Sequence, residues 1–338
     1  MILEVNDLSI DFATAQGPLH AVRGVSFTVD EGEVLGIVGE SGSGKSVTAH
    51  ALMRLLPGNG EVTGGDIRYR GESILAYRRD RLRAFRGRSI ALIFQEPGRS
   101  FDPIYSIGRT MTETLRAHRP EIDDEEARRR SIELLREVHV PYAEERLSNF
   151  PHQFSGGLLQ RIMIATALAS DPEVLIADEP TTALDVTIQA QIIELLLELK
   201  ERRKLSILFI THNLALISGV ADRIMVMYGG LVLEQGSTEE IIHRPHHPYT
   251  RALLASILTL GDHHTSKPLH VVGGGVPNPL RPEPGCPFAP RCPPASGECT
   301  DGIPPLRHDG TLHRCIVDGV KPEDFYARVS KRSQALSS

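Results

Sequence analysis

Three features are scarce or absent in this chain of 338 residues: an excess of positive charge, long apolar runs, and cysteines before residue 286. The 37 Lys and Arg residues against 43 Asp and Glu residues give a net charge of −6, which argues against a chain held broadly to nucleic acid by charge. No stretch approaches the roughly 18 apolar residues that a membrane span requires. The first ten residues contain Glu4 and Asp7 but no basic segment, so we expect no signal peptide. We therefore expect a soluble intracellular protein that acts at a membrane only through partners.

The composition is that of an ordinary globular protein, with 41% hydrophobic and 24% charged residues. At ~150 residues per domain, the length suggests two domains, or one large domain with an appendage. Short apolar runs alternate with helical patterns, which is the order expected of a mainly parallel α/β sheet. The predicted strands cover residues 33–38, 89–94, 174–177 and 205–210, and a largely apolar helix is predicted after Val186.

Two segments depart from this alternation. Residues 97–155 are helical in character, above all the charged residues 121–140, and they predict a helical insert. After Gly229 the strand pattern fades, and residues 273–315 hold ten of the 23 prolines and all four cysteines. Such a segment forms neither long helices nor central strands, and without a cross-link it should be loose.

The motif G-x-x-x-x-G-K-[ST] lies between a predicted strand and a predicted helix. We call it the phosphate loop, and its residues are Gly39, Glu40, Ser41, Gly42, Ser43, Gly44, Lys45 and Ser46. Its glycines allow a tight turn whose N–H groups point at phosphate oxygens, and the following helix adds the positive end of its dipole. Lys45 can reach the β- and γ-phosphates, and the Ser46 hydroxyl can bind Mg²⁺. The alternative is a Gly/Ser-rich turn without a ligand.

A pair of carboxylates, Asp178 and Glu179, follows the predicted strand 174–177. A buried strand should not end in paired acids unless their charge is used. Asp178 therefore suits the Mg²⁺ shell, and Glu179 suits the positioning of an attacking water. Taken alone, such a pair is equally compatible with the solvated start of a loop.

Three further features narrow the class of nucleotide-binding domain. Gln95 and His212 each end a predicted strand, and Ser155, Gly156 and Gly157 begin a helix whose N–H groups form a second anion site. Singly, these features are typical of a surface amide, a solvated loop histidine and a helix N-cap. Their joint presence in this order favours a site.

With these motifs in this order, roughly residues 1–260 resemble the ATPase subunits of ABC transporters. The resemblance implies a P-loop α/β nucleotide-binding domain with a helical subdomain at about residues 96–168, followed by a cysteine- and proline-rich extension, residues 261–338. It also implies that ATP and Mg²⁺ bind at a head-to-tail dimer, where each nucleotide lies between one chain's phosphate loop and the other chain's signature. The matching residues are Gly39–Ser46 of Walker A, Gln95 of the Q-loop, Ser155, Gly156 and Gly157 of the signature, Asp178 and Glu179 of Walker B, Asp185 of the D-loop, His212 of the H-loop, and Phe12 as the residue that stacks on adenine.

The resemblance also implies a role for each residue. Ser46, Asp178 and Gln95 bind Mg²⁺. Glu179 positions the attacking water, and His212 contacts the γ-phosphate. The signature residues and Asp185 contact the partner's ATP. Nucleic acid is not an expected partner.

A closer resemblance is to the D-type ATPases of oligopeptide and dipeptide importers, carried by residues 39–47, 95–97 and 247–250 and by the cysteines. Members of that group pair with a second, related ATPase beneath two permease subunits, on the cytoplasmic side of the inner membrane. An extracytoplasmic solute-binding protein delivers the solute. Nickel, opine and glutathione importers share this scheme and remain alternatives to peptide importers. The signature departs from the family at Phe154 and Leu158.

Two other functions compete with import. One is a non-transport ABC ATPase of translation or DNA repair; such proteins commonly carry two nucleotide domains or a long coiled-coil insert, whereas this chain has one domain and a short insert. The other makes the cysteines a redox sensor with the ATPase as its output, and nothing in the sequence favours it.

The cysteines Cys286, Cys292, Cys299 and Cys315 lie in residues 286–315, which we call the cysteine-rich segment. In an intracellular protein this clustering favours a metal site over disulfides. The cysteines are separated by five, six and fifteen residues. None of these gaps is as short as the two to about four residues between paired cysteines in structural zinc sites. The ligand spacing of a [4Fe–4S] cluster varies more widely. The resemblance also favours such a cluster, with a structural role; zinc and free or disulfide-paired cysteines are the alternatives. We expect loss of one cysteine to loosen this segment and to leave nucleotide binding largely intact.

Overall fold

The computed structural model describes residues 1–257 and 274–317, which form two β-sheets flanked by helices. The strands are β1 (Leu3–Thr14), β2 (Gly17–Val29), β3 (Val34–Val38), β4 (Gly60–Tyr69), β5 (Glu72–Ser73), β6 (Ile90–Ile93), β7 (Val174–Asp178), β8 (Ser206–Thr211), β9 (Arg223–Tyr228), β10 (Leu231–Ser237), β11 (Arg307–Asp309) and β12 (Thr311–His313). The helices are α1 (Lys45–Leu52), α2 (Arg79–Arg88), α3 (Pro97–Ser100), α4 (Ile107–His118), α5 (Asp124–Glu137), α6 (Ala143–Arg146), α7 (Gly156–Ala167), α8 (Val186–Arg203), α9 (Leu214–Ser218), α10 (Thr238–His243) and α11 (Pro248–Ala255).

The larger sheet has the strand order β11-β12-β10-β9-β3-β8-β7-β6. Its strands β9, β3, β8, β7 and β6 run parallel. Every residue of β3, β6, β7 and β8 is buried, because a parallel sheet covered on both faces requires continuous apolar runs. The four strands predicted from such runs are confirmed. Their carboxyl ends meet at one edge of the sheet, where ligands of open α/β sheets bind.

The smaller sheet is antiparallel, with the order β2-β1-β4-β5. The expectation of a mainly parallel sheet is therefore wrong for β1, β2, β4 and β5, which form this separate sheet. Strands β1 and β4 alternate between buried and exposed positions, which is typical of antiparallel strands with one solvated face. The register of β1 shifts between Val5 and Leu8, where Asp7 adopts a left-handed conformation with φ 48°.

Helices α3 to α6 lie within residues 97–155, where the sequence predicted a helical insert, and α7 follows them. The charged stretch 121–140 contains α5, whose N-cap Asp123 accepts a hydrogen bond from the backbone N–H of Glu126. Acidic residues in its first turn complement the helix dipole. Helix α8 begins at Val186, as predicted, and ends among basic residues. Among the described residues, no helix is long and apolar enough to cross a membrane.

Two features of the C-terminal part correct the sequence interpretation. The strand pattern does not end at Gly229, because β10 pairs with β9 directly after it. The hairpin β11–β12 then extends the larger sheet, with His313 opposite Glu234 of β10. These strands are short and lie at the sheet's edge, where a proline-rich segment can pair. The predicted boundary between residues 260 and 261 lies outside the described residues, so that division stays a prediction.

Candidate functional site

The phosphate loop connects β3 to α1. A side chain at Gly39 would clash with the carbonyl oxygen of Met227 in β9. Gly44 has φ +100°, and a Cβ there would lie 2.7 Å from the carbonyl oxygen of Ala21. Both glycines are therefore required by close packing of the loop against neighbouring strands.

Lys45 is buried, with 5% of its surface exposed. Its Nζ donates hydrogen bonds to the carbonyl oxygens of Gly39 (2.8 Å) and Glu40 (2.9 Å). Burial lowers the pKa of Lys45, while the charges of Glu179 and Asp178 oppose that change. A buried cation within a turn of peptide N–H groups is suited to an anionic ligand.

Ser46 and Asp178 lie together, although 132 residues separate them in sequence. The Oγ of Ser46 donates a 3.0 Å hydrogen bond to Oδ1 of Asp178. Burial raises the pKa of Asp178, and the Ser46 hydrogen bond acts in the opposite direction. A hydroxyl and a carboxylate are hard oxygen ligands, so this pair fits Mg²⁺.

Glu179 follows β7 in a left-handed conformation, with φ 47°. Its Oε2 accepts hydrogen bonds from Nε2 of Gln95 (2.9 Å) and from Oγ1 of Thr182 (2.8 Å). Nδ1 of His212 lies 3.3 Å from the same oxygen. The structure therefore brings together Gln95, Glu179 and His212, which the sequence predicted as one site. Gln95 contacts Glu179 rather than the Ser46–Asp178 pair.

The sequence analysis missed Thr182. The only sequence signal was its position three residues after Glu179, in the turn that leads to the predicted D-loop. A hydroxyl at this spacing is common in turns and rarely indicates a site by itself.

The signature residues form a second exposed turn. Ser155 is the N-cap of α7 and accepts a 3.4 Å hydrogen bond from the N–H of Leu158. Gly157 packs closely against Ile188 of α8, and Asp185 caps that helix through a 3.0 Å bond to the N–H of Ile188. Among the described residues, no hydrogen bond joins Ser155 to the phosphate loop. Ser155 and Asp185 are both exposed.

Phe12, the predicted adenine-stacking residue, lies in β1 opposite Leu19 of β2. Its ring packs beside Gly60 at the start of β4. Two residues after Leu19, Ala21 contacts the phosphate loop at Gly44. Phe12 therefore belongs to the sheet that borders the loop.

The cysteine-rich segment is not independent of the nucleotide site. Nη1 of Arg291 lies 2.7 Å from Oε2 of Glu40 in the phosphate loop. Tyr249 of α11 accepts a 2.9 Å hydrogen bond from the backbone N–H of Glu40. The expectation that loss of a cysteine leaves nucleotide binding largely intact stays a prediction, but these contacts join the segment to the phosphate loop.

None of the four cysteines forms a disulfide, and all four line one small pocket beside His247. Burial raises the pKa of Cys286 to about 11, and it also raises the pKa values of Cys292 and Cys315. Among the residues described, no group of three or more His, Cys, Asp or Glu side chains is arranged to hold a single metal ion. Cysteine sulfurs are the ligand type that iron–sulfur clusters use.

Comparisons with known proteins agree with this site. A family model described as "ABC transporter" matches residues 22–182, and one described as "Oligopeptide/dipeptide transporter, C-terminal region" matches residues 233–299. A shorter match over residues 149–218 is to an AAA domain described as a putative AbiEii toxin. The first match covers the phosphate loop, Gln95 and the Asp178–Glu179 pair, and the second covers part of the cysteine-rich segment.

Curated relatives extend the similarity along the chain. A putative peptide import ATP-binding protein of Brucella abortus is 48% identical over 93% of this chain and 94% of its own length. The oligopeptide transport ATP-binding protein OppD of Salmonella typhimurium is 45% identical over 94% of this chain and 93% of its own length. OppD of Bacillus subtilis is 47% identical over 85% of this chain and 80% of its own length.

Solved structures of ATP-binding cassettes share the fold. A dimeric cassette in a post-hydrolysis state, bound to ADP and Pi, has a TM-score of 0.63 at 26% identity and covers 70% of this chain and 99% of that chain. The cbiO1 protein of Clostridium perfringens has a TM-score of 0.60 at 28% identity, over 72% of this chain and 91% of that chain. The ABC-type P-loop fold expected from the sequence is confirmed. The chain belongs to the family of ABC transporter ATP-binding subunits of oligopeptide and dipeptide importers.

Proposed function

We propose that this chain hydrolyses ATP to drive the uptake of di- and oligopeptides through partner permease subunits. The observation that carries the proposal is the meeting of four strand ends: the phosphate loop after β3, Gln95 after β6, the Asp178–Glu179 pair at β7 and His212 after β8. Each of these groups has a task in phosphoryl transfer, which depends mainly on positioning and charge stabilisation.

In the proposed mechanism, the phosphate loop binds the β- and γ-phosphates through backbone N–H groups and through Lys45. Ser46 and Asp178 would hold Mg²⁺, with Gln95 as the further ligand that the resemblance implies, and the bound ion would neutralise phosphate charge. Glu179 orients a water toward the γ-phosphate, and His212 contacts that phosphate.

We infer that each ATP site is completed by a second, related ATPase subunit. Ser155, Gly156, Gly157 and Asp185 then contact the partner's nucleotide. The exposure of Ser155, Gly156 and Asp185 supports this, because residues that contact a partner's nucleotide must be accessible.

Peptides are the proposed solutes because the relatives' names refer to peptide, oligopeptide and dipeptide import. Nickel, opine and glutathione importers share the architecture that the sequence resembles, and they remain the competing assignments. We place the subunit on the cytoplasmic face of the inner membrane, beneath two permeases and supplied by an extracytoplasmic solute-binding protein. The helical insert is the proposed point of contact with the permeases, and the exposure of Ile104 (69%) supports it.

For the cysteine-rich segment, we propose a [4Fe–4S] cluster held by Cys286, Cys292, Cys299 and Cys315, with zinc as the alternative. The support is chemical: the four cysteines line one pocket without forming a disulfide, and cysteine sulfurs are the ligands of such clusters. The cluster would order a segment rich in proline by tying its ends together. Anaerobic purification with iron, sulfide and zinc analysis separates the assignments, since one zinc per chain in a colourless protein contradicts the cluster.

The transport proposal is tested with the assembled complex in membrane vesicles. We expect ATP-dependent uptake of a labelled dipeptide, which stops when Lys45 is replaced by Met. Uptake of Ni²⁺ or glutathione without uptake of dipeptide would assign the competing solute. Full ATPase activity that neither permeases nor solute-binding protein changes would contradict the transporter assignment.

A further inference from the structure

Glu40, the second residue of the phosphate loop, contacts the C-terminal part of the chain. Nη1 of Arg291 pairs with Oε2 of Glu40 at 2.7 Å, and it also donates a 2.8 Å hydrogen bond to the hydroxyl of Tyr228. The side chain of Arg291 is 6% exposed, and that of Glu40 is 26% exposed. A hydrogen-bonded ion pair so little exposed to water is screened far less than a surface pair.

A second contact, a hydrogen bond, holds the backbone of Glu40. The N–H of Glu40 donates to the hydroxyl of Tyr249, which is fully buried. The rings of Tyr228, Tyr249 and Phe288 pack together, with centroids 4.6 to 5.5 Å apart. The main chain of Glu40 is therefore held by this aromatic cluster, and its side chain is held by Arg291, whose guanidinium lies over the rings of Tyr228 and Phe288.

Glu40 also contacts Lys45 directly. The Nζ of Lys45 donates a 2.9 Å hydrogen bond to the carbonyl oxygen of Glu40. A shift of Glu40 would move the acceptor of the lysine that the proposed mechanism places on the phosphates. The Glu40 carboxylate, if left unpaired, would also add negative charge beside a triphosphate. Arg291 therefore both fixes the loop and offsets that charge.

Arg291 is part of the cysteine-rich segment. It ends a 3₁₀ turn, Ala289–Arg291, directly before Cys292. The N–H of Cys292 donates to the carbonyl of Ala289, and the N–H of Cys286 donates to the carbonyl of Cys299. The position of the Arg291 side chain thus depends on the backbone that carries three of the cysteines.

We propose that Arg291 is a positioning residue that connects the cysteine-rich segment to the phosphate loop and thereby sets the affinity for ATP. The inference rests on the proposed function, because it requires that this loop binds phosphates. It assigns to the cysteines an influence on nucleotide binding that a separate structural segment would not have.

The first test measures the Kd of MgATP and the KM and kcat of hydrolysis in the assembled complex. We expect Arg291→Gln to raise Kd and KM about tenfold and to leave kcat within about twofold, because the reacting groups on Glu179 are untouched. Arg291→Lys, which retains the charge, should recover part of the affinity. Arg281→Gln changes an exposed arginine of the same C-terminal part and serves as the matched control. An unchanged Kd in folded Arg291→Gln, or a lower kcat with the same Kd, overturns the proposal.

A double-mutant cycle separates positioning of Glu40 from a general loss of stability. In a Glu40→Gln background, we expect Arg291→Gln to change Kd less than about twofold, because its partner charge is already absent. If Arg291→Gln changes Kd equally in the parent and in the Glu40→Gln background, Arg291 does not act through Glu40.

The cysteines are tested by Cys292→Ser, alone and combined with Arg291→Gln. We expect Cys292→Ser alone to weaken ATP binding. The double variant should bind ATP no more weakly than Arg291→Gln alone. Additive losses, or no loss in Cys292→Ser, overturn the connection. A parent complex that fails to bind ATP would instead contradict the proposed function, so the two failures are distinguishable.

Discussion

Nε2 of Gln95 donates a 2.9 Å hydrogen bond to Oε2 of Glu179, across 84 residues of sequence. Thr182 donates to the same oxygen, and Nδ1 of His212 lies within 3.3 Å of it. These contacts come from three separate chain segments and fix the orientation of one carboxylate. A group that orients water must be held in this way, because displacements of about 1 Å can cost a hundredfold in rate.

Replacing Glu179 by Gln retains the shape of the side chain and removes the carboxylate. We expect ATP hydrolysis by the assembled complex to fall by about a hundredfold or more, since general-base positioning contributes about that much. The Kd of ATP should stay within about twofold. Phosphate release and equilibrium nucleotide binding measure the two effects. Glu125→Gln, an exposed carboxylate of α5, is the control, and hydrolysis near the parent rate would falsify the role of Glu179.

Thr182 supplies one neutral hydrogen bond to Glu179. Thr182→Val keeps the size and removes the hydroxyl, so we expect kcat to fall about fivefold with KM nearly unchanged, as a lost neutral hydrogen bond predicts. Thr182→Ser should restore most of the rate. If the Ser and Val variants have equal kcat, the hydroxyl has no part in holding Glu179.

The assembly prediction follows from the separation of Ser155 from the phosphate loop within one chain. We expect the isolated subunit to hydrolyse ATP slowly when dilute, and hydrolysis to appear when the partner ATPase and permeases are added. Gly156→Asp should abolish that gain without changing ATP binding by the isolated subunit, because it adds charge to the exposed turn only. Sedimentation analysis during turnover is the decisive measurement, and robust hydrolysis by a proven monomer contradicts the composite site.

The residues at the carboxyl ends of the parallel strands could be predicted from the sequence. The reason is physical. A buried parallel strand is recognisable as a short apolar run, and the residues that bind the ligand follow that run directly in sequence. Asp178 and Glu179, for example, follow the run that forms β7. Their order along the chain also matches a known family closely.

The contact between Arg291 and Glu40 could not be predicted in this way, since 251 residues separate the partners. Neither local periodicity nor motif spacing carries information about such a pair, and an arginine between two cysteines looks like a solvated charge. The antiparallel sheet was missed for a related reason. Its half-exposed strands, such as β1, have no continuous apolar run, and their pairing is set by tertiary packing.

The last prediction concerns His118, at the end of α4. Burial lowers its pKa below the ordinary 6.5, and the positive charges of Arg83 and Arg88 lower it further. In the unfolded chain the ring takes up a proton near its ordinary pKa, so the unfolded state binds more protons below that pH. Folding stability should therefore be complete above pH 6.5 and should fall as the pH decreases toward the folded pKa. Comparing urea unfolding midpoints between about pH 8 and about pH 5.5, we expect His118→Gln to reduce this acid-induced loss. The exposed His152, replaced by Gln, should leave it unchanged. An acid-induced loss of the same size in His118→Gln as in the parent would show that other groups dominate the acid response.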